Sequence, residues 1–196
     1  MTSFLQKMHR IVYPHNTLHI PSLKRGDWYD VDTKMFEAMF TLLCEYVENE
    51  CAHMMLMDHE KYTFLQRLMH RWVPRIYRRP FSRKLGLEYL DWMASVPECS
   101  QYQVDMNQMT KELYLWYNDE YPLMEDPYAV TQDPPFMFLD SNNVPTNDFS
   151  TIFNQNTLHP EYVSMLQVIN NIEVTQTMII DMKLEDLLAV RRSLWT

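Results

Sequence analysis

Only two glycines, Gly26 and Gly86, occur in 196 residues. An ordinary chain carries about 7% glycine, and hairpins and tight βα turns draw on it because glycine takes positive φ at no steric cost. A fold rich in such turns is therefore disfavoured. Helices manage without glycine, since Asn can end them and Pro can punctuate them; this chain has 11 prolines. The same shortage removes phosphate-cradling loops, because neither a dinucleotide fingerprint nor a P-loop can be written with two isolated glycines. The chain reads as mainly α, and 196 residues, 46% of them hydrophobic, suffice for one domain with a sizeable core.

Periodicity and punctuation place the helices. Residues 1–31 carry no sustained period and are broken by Pro14, Pro21 and Gly26; they read as an irregular N-terminal arm with at most a short strand. Asp32 or Thr33 can cap a helix over 34–57. At ~100° per residue, Met35, Phe36, Met39, Phe40, Leu43, Tyr46, Val47 and Met54 share one arc, the expected core face. A second helix covers 61–72 and stops or kinks at Pro74. Ser82 can cap a third, 83–96, and Ser100 a fourth that reaches about residue 118. The fourth has an apolar stripe of Tyr102, Met106, Met109, Leu113, Trp116 and Tyr117, and Pro122 ends it.

Residues 119–158 hold Pro122, Pro127, Pro134, Pro135 and Pro145 and show no period. The stretch is long for a loop and too aromatic for disorder, so it reads as a proline-rich irregular arm. Pro160 can open a C-terminal helical region, 160–196, formed by one helix or by two with a break near 181–183. The expected architecture is a single helical domain over 1–196, of about five helices, with an irregular N-terminal arm and a long proline-rich insert.

Charge is segregated along this acidic chain, whose formal net charge is −9. Residues 61–87 contain no Asp or Glu and eight of the 17 basic residues; the remaining positions hold 9 basic and 26 acidic residues, a balance of −17. Six of the eight are Arg67, Arg71, Arg75, Arg78, Arg79 and Arg83, interleaved with Trp72, Tyr77 and Phe81. Arginine with stacking aromatics suits nucleic acid or phosphate. The same arginines suit fixed bidentate pairs with carboxylates of this chain or of a bound protein, with Glu45, Glu48, Glu50 and the acidic arm as partners. The acidic remainder opposes broad contact with nucleic acid, which favours the second reading.

Other constellations are sparse. Glu50 and His53 form a Glu-x-x-His pair of the kind used by di-iron bundles, and the wheel sets Glu50 inside the apolar arc. Those bundles need a second copy, and no other His here has Glu three positions before it. The pair is thus a weak metal candidate beside the simpler reading of a satisfied core carboxylate, and no cofactor is expected. Cys44, Glu48, Cys51 and Met55 share one stripe; a seven-residue Cys spacing is poor for zinc and reads as small buried thiols. No serine stands in a Gly-x-Ser-x-Gly elbow, so no catalytic residue is assigned. Three cysteines, an odd number, with no signal peptide, point to a reducing compartment. No apolar run approaches the ~18 residues that a membrane span requires.

Four strings, DWYDVDTKMFEAMFTLLCEYVENE, RKLGLEYLDW, KELYLWYNDEYP and LLAVRRSLWT, resemble a family of uncharacterised proteins encoded by tailed bacteriophages. The likeness covers roughly residues 27–50, 83–92, 111–122 and 187–196, and the proline-rich arm looks like a variable insert. The resemblance implies a viral origin and expression in a bacterial cell; it carries no catalytic residue across. The leading expectation is a phage-encoded, non-enzymatic protein-interaction module that acts on a host or viral protein, or self-associates. Its expected location is the host bacterial cytoplasm, with the virion as the other location. The alternatives are a nucleic-acid-binding accessory protein using the Arg-rich segment 67–84 and, third, a metal-dependent enzyme at Glu50/His53.

Overall fold

The computed structural model describes residues 18–24, 26–58, 62–73, 75–127, 129, 138–139, 145–146 and 160–194. They are mainly α-helical. Helix α1 (Val31–Glu45) passes through a π turn (Tyr46–Cys51) straight into α2 (Ala52–Asp58). The helix starts earlier than expected because Asp30, and not Asp32 or Thr33, is its cap. Its carboxylate accepts the Thr33 N–H at 2.6 Å, a bond to the charged form that lowers the Asp30 pKa.

Helix α3 (Phe64–Trp72) begins at a capping box. The Thr63 N–H donates to Gln66 Oε1 at 2.9 Å, and the Gln66 N–H donates to Thr63 Oγ1 at 3.4 Å. Helix α4 (Arg75–Ser95) is followed by α5 (Gln101–Leu115). The expected cap at Ser100 is present as a full box with Gln103. A second π turn (Trp116–Glu120) and a 3₁₀ turn (Tyr121–Leu123) holding Pro122 end that helix. The C-terminal region is one helix, α6 (Pro160–Leu194), about 52 Å long at 1.5 Å per residue, without the break considered near 181–183. The sole extended pairing among the described residues is β1 (Phe138–Leu139) antiparallel to β2 (Pro145–Thr146). Most of the 119–158 arm, and residues 1–17 of the N-terminal arm, lie outside the described residues. Among the described residues, no helix is long and apolar enough to cross a membrane.

The chain divides into two compact units, Met1–Tyr117 with Ala189–Thr196, and Asn118–Leu188. In the first, Phe36, Phe40, Trp116 and Tyr117 make an aromatic cluster, with Phe40 stacked on Tyr117 at 4.8 Å and 15°. A second cluster joins Ala52, Met55, Leu56 and Leu85, flanked by Tyr62, Phe81 and Tyr89. Full burial of each large apolar side chain contributes about 1.5–3 kcal/mol. In the second unit, Ile169 and Leu187 of α6 are buried, and the Gln176 side-chain amide donates to the Glu125 carbonyl.

Three local expectations need correction. The buried face of α1–α2 comprises Phe36, Glu37, Phe40, Thr41, Leu43, Cys44, Val47, Glu48, Cys51, Ala52, Met55 and Leu56. That face is turned by roughly a quarter of the wheel from the apolar arc. Met35 and Met54 are exposed, and so is Glu50; Glu37 and Glu48 are the buried carboxylates. Hydrophobicity alone sets the arc, whereas polar groups enter the core here because distant residues bond them.

The other two corrections concern α4. It begins directly after Pro74, so Ser82 is no cap but a buried residue inside the helix, and Pro80 lies within α4 as well. An interior proline removes one backbone bond and costs roughly 3 kcal/mol. The turn that precedes Pro80 is nevertheless held by Arg78 and Arg79, whose guanidinium groups are bonded to other helices. Pro80 is exposed, so Pro80→Ala restores the donor without opening a void. Its expected gain is about 2 kcal/mol after the lost unfolded-state restraint is subtracted. Urea unfolding followed at 222 nm reads this, and a variant less stable than the parent would show that the ring itself is needed.

Candidate functional site

The arginines fix the site. Arg71 and Arg75 have side chains outside the described set, and Arg67 on α3 is half-buried. The other three converge on the first π turn and on α5. On α4, Arg79 is 53% exposed, and its Nε–H donates to Oε1 of Glu48, which is 0% exposed, at 2.9 Å. The Tyr114 hydroxyl on α5 donates to the same Oε1 at 2.9 Å. The guanidinium of Arg83 lies 5.7 Å from the Tyr114 ring centroid, a cation–π contact. Arg78 Nη2 donates to Asn49 Oδ1 at 2.9 Å, and its Nη1 donates to the His70 carbonyl. Three arginines of the basic segment are therefore engaged inside the first unit.

A second buried carboxylate repeats the arrangement. Glu37 stands eleven positions, three helical turns, before Glu48 on the same buried face. Its Oε2 accepts the Tyr117 hydroxyl at 2.6 Å and the Ser22 hydroxyl. Tyr114 of α5 and Tyr117 of the second π turn thus present hydroxyls to two carboxylates, those of the first π turn and of α1.

The electrostatics keep these groups chemically quiet. Burial pushes the Tyr114 pKa up, and the Glu48 charge and hydrogen bond add to it. Burial and Glu37 do the same to Tyr117. Burial likewise drives the Cys51 thiol up to about 12, so the thiolate needed for nucleophilic attack is not populated near neutrality. For Arg79, burial works against the charge, and the hydrogen bond and charge of Glu48 outweigh it, which raises the guanidinium pKa. The two hydroxyls and the thiol are thus held in their protonated, unreactive forms.

The remaining candidates are dispersed. Glu50 and His53 are both exposed; His53 stacks on His70 with ring centroids 6.5 Å apart. Among the described residues, no three of His, Cys, Asp and Glu gather closely enough to hold a metal ion. Cys44 and Cys51 are buried thiols, as their stripe implied, Cys99 is half-buried, and none of the three is in a disulfide. Residue patterning missed Glu37, Asn49, His70 and Tyr114. The one usable signal was the stripe Cys44–Glu48–Cys51–Met55, which is the core face itself. No protein-family model, curated protein or solved structure matches the chain.

Proposed function

We propose that this chain is a phage-encoded, non-enzymatic interaction protein that acts on a host or viral protein. The viral assignment rests on the resemblance of the four strings to tailed-phage proteins. The observation that carries the interaction role is an uncovered apolar row on the first unit. Trp28 is 85% exposed, Val31 68%, Met35 57% and Leu42 36%. Val31, Met35 and Leu42 fall at i, i+4 and i+11 on α1 and so share one side of the helix, and Trp28 stands just ahead of the Asp30 cap. Isolated exposed apolar residues are ordinary, whereas aligned ones mark contact surfaces. Methionine adds adaptability to such a surface.

Binding of nucleic acid through the Arg-rich segment 67–84, on which Tyr77 and Lys84 are exposed, is the competing reading, and one experiment separates the two. Tagged protein is recovered from phage-infected bacteria with and without nuclease. A discrete protein partner should survive nuclease treatment. The triple variant Trp28→Ser/Val31→Ser/Met35→Ser, with unchanged helicity, should bind that partner at least about tenfold more weakly. Recovery that disappears with nuclease, or equal capture by the triple variant, would overturn the proposal.

A further inference from the structure

Helix α3 is nine residues long, short of the ~12–15 residues at which an isolated helix becomes even marginal in water. Docking must therefore hold it. Its first turn faces solvent, with Phe64 78% and Leu65 64% exposed. Among its described side chains only His70 is buried, at 5% exposure. The described anchor of this helix is thus a titratable ring, and among the described residues of the first unit no other histidine is buried.

The surroundings of that ring suit a neutral imidazole. Arg78 Nη1 on α4 lies 3.5 Å from His70 Nδ1. The same guanidinium donates to the His70 carbonyl and reaches Asn49 of the π turn. Its N–H groups can meet a lone pair on Nδ1 but not a second N–H. Protonation would set donor against donor and cation beside cation. His53 on α2 stacks over the ring, and Nε2 is buried. Burial, Arg78 and His53 all disfavour the proton, and the Glu48 backbone alone favours it. The Glu48 carboxylate itself is bonded to Arg79 and Tyr114, and Arg67 sits three positions before His70 on α3.

We propose that α3 is a flap latched by the neutral imidazole of His70 and released when that ring takes up a proton. The folded-state pKa lies below the ordinary histidine value of 6.5. The contribution of the latch to stability is then fully present above that value and is lost as the pH falls below it toward the folded-state pKa. Release uncovers Arg78 and Asn49 and leaves the clusters around Phe40 and Leu85 in place.

Hydrogen exchange of the full chain, read peptide by peptide at about pH 7.5 and about pH 5.5, tests the latch across the histidine range. After correction for intrinsic rates, amides of residues 64–72 should lose protection at the lower pH by at least about tenfold. Amides in the second half of α4 should not change. His70→Gln keeps a donor and an acceptor but binds no proton, so its profile should be flat, while His53→Gln should behave like the parent. Equal protection of the parent at both pH values overturns the proposal, as does a pH response that persists in His70→Gln. Should that variant fail to fold, NMR titration of the parent decides: a His70 midpoint at or above about 6.5 overturns the latch. A lower midpoint, shared by the α3 amide shifts, supports it.

Discussion

Gly86→Ala is expected to destabilise the first unit by on the order of 3 kcal/mol or more, and Gly86→Val to prevent its folding. A Cβ at position 86 would stand 2.2 Å from the Val47 carbonyl oxygen, 2.9 Å from its carbonyl carbon and 2.9 Å from Val47 Cγ1. The first two obstacles are backbone, held in the π turn, so no rotamer change relieves them. Helix α4 would have to move away from the π turn, and that movement would pull Arg78 and Arg79 from Asn49 and Glu48. The intrinsic gain of Ala over Gly in a helix, about 1 kcal/mol, does not offset this. The total stability of a domain is only about 5–15 kcal/mol, so the loss is large. Gly26→Ala is the control. Gly26 has φ 101° and no atom within 4 Å of a built Cβ, so its cost is backbone strain alone, roughly 1–2 kcal/mol. Urea unfolding of both variants should rank them in that order. A Gly86→Ala protein as stable as the parent would mean that α4 does not approach the π turn this closely.

Gly86 also shows what sequence can and cannot announce. The glycine count excluded turn-rich folds and phosphate loops, and helices followed from period and caps, with the Ser100 box found in place. A lone glycine inside an apolar helical pattern signals close packing, but only the fold names its partner, Val47, 39 positions earlier. The buried face of α1 was misplaced for a related reason. Glu37, Thr41 and Glu48 weigh against burial on any hydrophobic wheel, and the two carboxylates are buried because Tyr117, Tyr114 and Arg79 arrive from 80, 66 and 31 positions away. Helix α4 ran past its expected start because tertiary bonds of Arg78 and Arg79 outweigh the local veto of Pro80. The arginine cluster was visible as composition, but which arginines turn inward depends on helix phase after Pro74, and one sequence does not fix that phase.

The Arg79–Glu48 pair gives one arginine of the basic segment a buried carboxylate partner, and it should respond asymmetrically to substitution. Glu48 is fully buried, while Arg79 is half in water. Arg79→Met takes a cation away from a carboxylate that cannot reach solvent, and the expected loss is roughly 3 kcal/mol. Glu48→Gln removes the charge and keeps the shape and an acceptor for the Tyr114 hydroxyl, while the exposed part of the Arg79 guanidinium regains water. Its expected loss is roughly 1 kcal/mol. The double variant Arg79→Met/Glu48→Gln no longer strands a charge, so it should be more stable than Arg79→Met alone. Arg79→Lys should rescue little, because a point ammonium does not reproduce the Nε–H aimed at Oε1. The parent, the two single variants and the double variant form a double-mutant cycle, read by urea unfolding at one pH. A surface-like pair would give two small, equal and additive losses, which would assign the arginine cluster to an outside partner instead of to the buried carboxylate. Rescue of Arg79→Met by Glu48→Gln is the outcome that only a buried clasp produces.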